Sequence, residues 1–228
     1  MTFHIITIFP HIFDSYLKEG ILSRAQKNNL IKINILNLRD FTSDKHKTVD
    51  DKPFGGGPGM VLKVEPIYKA IEQIKSKKQT KKTKTILLSA KGKKFNQKMA
   101  YKFSKLSDLI LICGRYEGVD ERVAKYIVDE EISIGDYILS GGELPALVII
   151  EAVSRLIPGV LGNIESIEEK RFKDLQNNLQ IKGAYPVYTR PAVFNPQPNI
   201  KWSVPKTLIS GDHKKIEQWR RRQMKNKS

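Results

Sequence analysis

Apolar residues recur along this chain in short runs separated by glycine-rich or charged segments, and the period of each run predicts its element. HIITIFP (residues 4–10) is β-rich and reads as a buried strand ending at Pro10. Ile12, Phe13, Tyr16, Leu17, Ile21 and Ala25 follow near helical spacing and predict one amphipathic helix. IKINILNL (31–38) alternates as a second strand. Pro66–Ile74 reads as a helix, TILLSA (85–90) as a third strand, and Asn96–Leu106 as another helix. Two more strand-like runs, Leu109–Cys113 and Tyr126–Ile134, each open into a turn of glycines and polar residues. An apolar helix from about Glu143 to Leu156 follows. Strands alternating with helices predict an α/β domain with a mainly parallel sheet.

Segments without periodicity divide the chain. RDFTSDKHKTVDDKPFGGGPGM (39–60) is a long polar, glycine-rich loop of the kind that is usually functional or disordered. SKKQTKKTK (76–84) reads as a solvated lysine-rich connection. The α/β domain is expected to span 1–162, with a polar linker over 163–183 and a small, shortened C-terminal domain over 184–228. Within the last, AYPVYTRPAVFNPQPNIKWSVP (184–205) reads as proline-punctuated loop. The tail from Ser210 reads as a basic helix capped at Ser210 or Asp212.

Composition narrows the classes. The chain of 228 residues is 40% hydrophobic, enough for one sizeable core. No apolar run approaches ~18 residues, and the N-terminal sequence lacks a basic n-region, so neither a membrane span nor a signal peptide is expected. Its single cysteine, Cys113, excludes intrachain disulfides and suits a cytoplasmic protein. The net charge of +16 favours a polyanionic partner such as RNA. Lysine outnumbers arginine, however, and arginine is the better reader of phosphate and bases. Charge alone leaves the partner open.

The chemistry is read partly by exclusion. No GxxxxGK[ST] loop, no GxGxxG fingerprint after the first strand and no GxSxG elbow occurs. His4, His11, His46 and His213 are scattered, so no metal site is predicted. Gly114-Arg115-Tyr116-Glu117-Gly118 and Gly141-Gly142 remain: glycine turns after strands, through which backbone can approach a ligand closely. They predict a main-chain site for a neutral or cationic small molecule, beside a basic surface.

RDFTSDKHKTVDDKPFGGGPGM, ICGRYEGVDERV, SIGDYILSGGELP, VSRLIPGVLGN and YTRP stand in that order, and together they resemble the bacterial tRNA (guanine-37-N1)-methyltransferases of the TrmD type, within the SPOUT superfamily. The resemblance runs from about residue 3 to residue 222. It implies an α/β fold whose mainly parallel sheet is tied in a deep C-terminal trefoil knot, a rare exception to unthreaded chains, plus a small, mostly helical C-terminal domain. It also implies a homodimer that binds tRNA and uses S-adenosylmethionine as methyl donor. Mg2+ stays open as an accessory ion. The cofactor positions carried over are Leu88 and Ser89 in a first loop, then Gly114, Tyr116 and Glu117 in a second. The third comprises Ile134, Gly135, Asp136, Tyr137, Ile138, Leu139, Gly141, Gly142 and Pro145.

Methylating the ring nitrogen of guanine requires a base for its proton and a cation for charge developing on the neighbouring carbonyl oxygen. Arg155 in VSRLIPG matches the family arginine given the second role. The family's linker aspartate aligns with Lys170 of SIEEKRF, and the adjacent Glu169 is the alternative base. Lysine could serve only with a strongly lowered pKa. On the RNA side the resemblance points to Arg39, His46, Asp50 and Gly57 in the long loop, and to Arg190, His213 and Arg220 near the C-terminus. The expected activity is methyl transfer to N1 of guanosine 37 in tRNA. The alternatives are a tRNA-binding family member with weakened catalysis, or a SPOUT enzyme acting on another RNA.

Overall fold

The structure, a computed structural model, describes residues 1–76, 82–162 and 185–225. The chain divides into two compact units, Met1–Ile167 and Glu168–Ser228, a division that falls inside the segment read as a linker.

The first unit is built on five parallel strands: β1 (Thr2–Thr7), β2 (Lys32–Asn37), β5 (Thr83–Lys94), β6 (Asp108–Cys113) and β7 (Glu130–Ser133). Their order across the sheet is β2-β1-β6-β5-β7, and every adjacent pair is parallel. A parallel sheet is covered on both faces, so its inner strands are apolar throughout rather than alternating. Every residue of β1 and β6 is buried. Along β6, Leu109, Leu111 and Cys113 enter one core cluster and Ile110 and Ile112 the other.

The first face is covered by α1 (Asp14–Leu17), α2 (Gly20–Lys27), α4 (Gln97–Phe103) and α6 (Glu143–Ser154). The second is covered by α3 (Val64–Ser76) and α5 (Glu121–Tyr126), with Ile67, Ala70, Ile71 and Ile74 forming the buried stripe of α3. Fully burying an isoleucine side chain contributes roughly 1.5–3 kcal/mol. The same clusters therefore anchor the loops at the strand ends.

Three expected elements differ. The helix through Ile12–Ala25 is broken: a 3-10 turn over Pro10–Phe13 leads into α1, Glu19 is extended, and Gly20 restarts the chain at φ +59°. A residue at positive φ interrupts a helix wherever apolar spacing would carry it on. The strand expected over Tyr126–Ile134 is only Glu130–Ser133. Asp120 caps a helix before it, its Oδ1 accepting the Arg122 N–H at 2.9 Å. The proline-punctuated stretch in the second unit holds a hairpin, β8 (Val193–Gln197) with β9 (Ile200–Ser203), followed by α7 (Lys206–Ile209) and α8 (His213–Lys225). The start of α8 agrees with the Asp212 cap: its Oδ1 accepts the Lys215 N–H at 3.1 Å.

The lysine-rich stretch also runs into β5, which begins at Thr83 and includes Lys84. In the long loop, β3 (Asp50–Asp51) pairs antiparallel with β4 (Val61–Leu62) and closes the residues between into a tight excursion. Among the described residues no helix is long and apolar enough to cross a membrane.

Candidate cofactor and RNA site

The ends of β5, β6 and β7 surround a cavity of about 440 Å3. Ligands of parallel α/β sheets bind beyond the carboxyl ends of the strands, and this volume suits a cofactor-sized molecule. Three chain segments make its walls. In β5, Leu88 and Lys93 both lie opposite Ile132 of β7, so residues 89–92 bulge out between them. A Cβ on Gly92 would stand 2.5 Å from the Ile132 nitrogen, so only glycine lets the bulge return this close to β7. The second wall is the turn after β6, where Tyr116 holds φ +60° and Gly118 φ +128°. The third is the loop between β7 and α6.

Second and third walls are joined by main chain. The Gly142 N–H donates to the Gly114 carbonyl at 2.9 Å, and a Cβ on Gly142 would stand 2.7 Å from Cys113 Cα. A side chain at Gly141 would collide with Arg115. Arg115 is the hub of this junction: its Nε donates to Glu143 Oε2 at 2.9 Å, its Nη1 donates to the Ser140 carbonyl at 3.2 Å, and its guanidinium lies 4.7 Å from the Phe9 ring centroid. Glu143 is 1% exposed, and its other oxygen accepts the Thr7 hydroxyl at 2.7 Å. A buried carboxylate is tolerated when it is paired and hydrogen-bonded, and both conditions hold here.

The long loop reaches the same turn. Glu117 N–H donates to the Met60 carbonyl at 3.1 Å, Leu62 N–H to Gly118 at 3.0 Å, and Asp120 N–H to Leu62 at 3.0 Å. Gly59 leaves the space that the Glu117 side chain occupies. Glu117, Glu121 and Glu131 all line the cavity, so it is acidic in a basic protein. Lys91 partly offsets them. It donates to Glu121 at 2.6 Å, a bond that raises the lysine's pKa, and lies 3.8 Å from Glu131. Glu131 Oε2 is buried without a hydrogen-bond partner. Cys113 ends β6 beneath the turn, and burial pushes its thiol well above the ordinary value.

Of the cofactor positions expected from sequence, Leu88, Ser89, Gly114, Tyr116 and Glu117 line the cavity, as do Ile134, Tyr137, Ile138, Leu139, Gly141, Gly142 and Pro145. Gly135 and Asp136 do not. Gly135 lies against the Tyr137 ring, and Asp136 pairs with Lys94. Sequence reasoning missed Arg115 and Glu143 as a pair, and Lys91, Glu121 and Glu131 in the wall. An arginine and a glutamate each beside a glycine turn is a signal, but 28 residues of chain separate them.

The family model described as tRNA (Guanine-1)-methyltransferase TrmD matches residues 1–228, the whole chain. The chain belongs to this family. A tRNA (guanine-N(1)-)-methyltransferase of Clostridioides difficile is 52% identical over 97% of this chain and 91% of the relative. One from Sulfurihydrogenibium is 55% identical over 97% and 82%. The crystal structure of the tRNA (m1G37) methyltransferase from Aquifex aeolicus superposes with a TM-score of 0.77 at 43% identity, covering 96% of this chain and 87% of that one.

Among the described residues, the other family positions do not line the cavity. Arg155 caps the C-terminal end of α6 and is exposed. Leu144 and Val148 are exposed on the same helix, and Arg155 follows them at the spacing of one face. Glu169 and Lys170 lie outside the described residues. In the long loop Arg39 donates to the Lys47 carbonyl at 3.3 Å, His46 is exposed, Asp50 opens β3, and Gly57 is exposed at φ +120°. In the second unit Arg190 is exposed, His213 opens α8, and Arg220 lies 4.9 Å from the Tyr185 ring centroid. Among the described residues no three His, Cys, Asp or Glu side chains stand together as a metal site.

Proposed function

We propose that this protein transfers a methyl group from S-adenosylmethionine to N1 of guanosine 37 in tRNA, and that it works as a homodimer. The observation that carries the reading is the cavity at the ends of β5, β6 and β7, walled by glycine-shaped main chain, in a chain that matches the TrmD family along its whole length.

The cavity fits the donor on chemical grounds. Glu117, Glu121 and Glu131 give the wall a negative field suited to a sulfonium cation. The orphaned Glu131 Oε2 is an acceptor that a hydroxyl or amino group of a nucleoside would satisfy, and an unmade bond there costs about 1–3 kcal/mol. Gly114, Gly141 and Gly142 bring backbone up to the ligand, while Leu88, Ile134, Leu139 and Pro145 supply apolar contact for an adenine ring. Bound S-adenosylmethionine supplies an electrophilic methyl group.

The remaining steps belong to the protein. Tyr116, strained at positive φ, and Glu117 stand where the long loop is bonded to the cofactor turn, so that loop brings Asp50 and Gly57 toward the target base. Arg155 stabilises negative charge on the guanine carbonyl oxygen. It does not line its own chain's cavity but shares an exposed helix face with Leu144 and Val148, so it acts across the dimer. Exposed Phe9, Ile12 and Tyr16, on or next to the 3-10 turn that packs on α6, extend that apolar face. Glu169 or Lys170 takes the N1 proton.

Transfer of labelled methyl to tRNA transcripts carrying or lacking guanine at position 37 tests the reading, with 1-methylguanosine as the expected product. Equal incorporation into both transcripts overturns it. In the same assay, loss of transfer in Glu169→Gln or Lys170→Ala at retained cofactor affinity identifies the base, and chelation of Mg2+ reads any metal requirement.

A further inference from the structure

We propose that Phe194 and Trp202, on the hairpin of the second unit, form a stacking platform for an unpaired base of the RNA substrate; this rests on the reading of the chain as a tRNA methyltransferase. The two residues are register partners across β8 and β9, so they project from the same side. Their ring centroids are 5.7 Å apart and their planes tilt by 50°. At that separation the rings rest against each other, and a base would stack on the outer, solvent-facing side of one of them. Both rings are open to solvent, Phe194 at 51% and Trp202 at 63%, and Ile200, two residues before Trp202 on β9, is exposed as well. No residue of either strand is buried. The pair therefore does not serve a core of this hairpin, and exposed aromatic side chains grouped in this way mark an interaction surface.

Charge selects the occupant. Residues 185–228 contain ten lysines and arginines against two acidic residues, Asp212 and Glu217. That is half of the chain's net +16 in about a fifth of its length, and no acidic residue lies in the hairpin. Lys201 stands next to Trp202 and is exposed. A second copy of the chain would set this positive unit against itself. A nucleotide matches both features, with a base for the rings and a phosphate for the cations, and single-stranded RNA is bound by this combination. The other tryptophan is placed differently. Trp219 of α8 is half-buried and its ring centroid lies 6.3 Å from that of Tyr188, a contact internal to the unit.

The chain has only these two tryptophans, which makes the test direct. In a Trp219→Phe protein the emission of Trp202 is followed while unmodified tRNA transcript is added; saturable quenching is expected. Trp202→Ala should weaken tRNA binding about tenfold. Trp202→Tyr should restore most of it, with cofactor affinity unchanged in both. Because stacking releases no counterions, the salt dependence of binding should be the same in Trp202→Ala as in the unaltered protein. If Trp219→Phe fails to fold, the difference spectrum between unaltered protein and Trp202→Phe gives the same readout. Wild-type affinity in Trp202→Ala overturns the proposal. So does a Trp202 already shielded from acrylamide in the free protein, which would mean that protein covers the pair. Failure of the unaltered protein to methylate tRNA would instead defeat the parent reading.

Discussion

The cavity of the first unit and the hairpin of the second, the two surfaces proposed to bind ligand, are built in opposite ways. The first is made of main chain held in place by buried groups: Glu143 at 1% exposure, Cys113 beneath the turn, and glycines with no room for a methyl group. The second is made of side chains on a frame with no buried residue in either strand. A site that must hold a small molecule against a developing reaction gains from preorganised backbone. A site that follows a flexible polyanion gains from long cations and exposed rings. Substitutions should therefore act on folding and cofactor affinity in the first region, and on tRNA affinity alone in the second.

The largest expected break in that contrast comes from Arg115→Ala. It leaves Glu143 buried with only the Thr7 hydroxyl, and removing one partner of such a pair costs about 3–5 kcal/mol. The denaturation midpoint of the first unit should fall and cofactor binding should weaken with it; an unchanged midpoint would show that the junction is not what holds the loops. Next comes Gly142→Ala, whose Cβ meets the Cys113 backbone at 2.7 Å. Overpacking of this kind costs about 1–3 kcal/mol, so calorimetry should show cofactor affinity down tenfold or more. Gly57→Ala is the control. Nothing lies within 4 Å of its Cβ, and only the strain of φ +120° is expected.

In the second unit, Arg220→Ala should change stability by less than about 0.5 kcal/mol while lowering tRNA affinity and reducing the salt slope by about one. A melting temperature that falls with the affinity would blur the distinction. The smallest effect tests the frame of the first unit by pH. Hydrogen bonds from Arg122 hold the Asp120 carboxyl below its ordinary 3.8. A depressed folded value means the cap's contribution is complete above the unfolded pKa and is lost as pH falls through the folded one. Asp120→Ala should cost about 1 kcal/mol at neutral pH, and the gap to the unaltered protein should close as pH falls below about 4.

The central strands were legible because a parallel sheet buried on both faces writes continuous apolar runs, as in DLILIC. The cavity was half legible: glycine turns are local and could be read, but the Arg115–Glu143 pair joins positions that only the fold brings together. The break at Gly20 escaped because φ leaves no mark in apolar spacing. The hairpin escaped because prolines and exposed strands carry no period, there being no core behind β8 and β9 for alternation to serve. The family motifs named cofactor positions beyond what periodicity could offer. They could not show that Arg155 is exposed and outside the cavity lining, since that depends on which side of α6 is left uncovered.

One feature of the sheet bears on how the protein matures. β7 follows β6 in the chain but sits on the far side of β5, so the connection between them must pass over a strand already in place. Until β7 docks there is no third wall and the bulge at 89–92 has nothing to close against. If the cavity holds the methyl donor as proposed, a partly assembled chain would not bind it, and the donor would stabilise only the finished arrangement. At a concentration a hundredfold above its dissociation constant, such a ligand adds about 2.7 kcal/mol to the native state alone. The cell's pool of methyl donor would thus act on this protein twice, as reagent and as a check that synthesis has ended in the right topology.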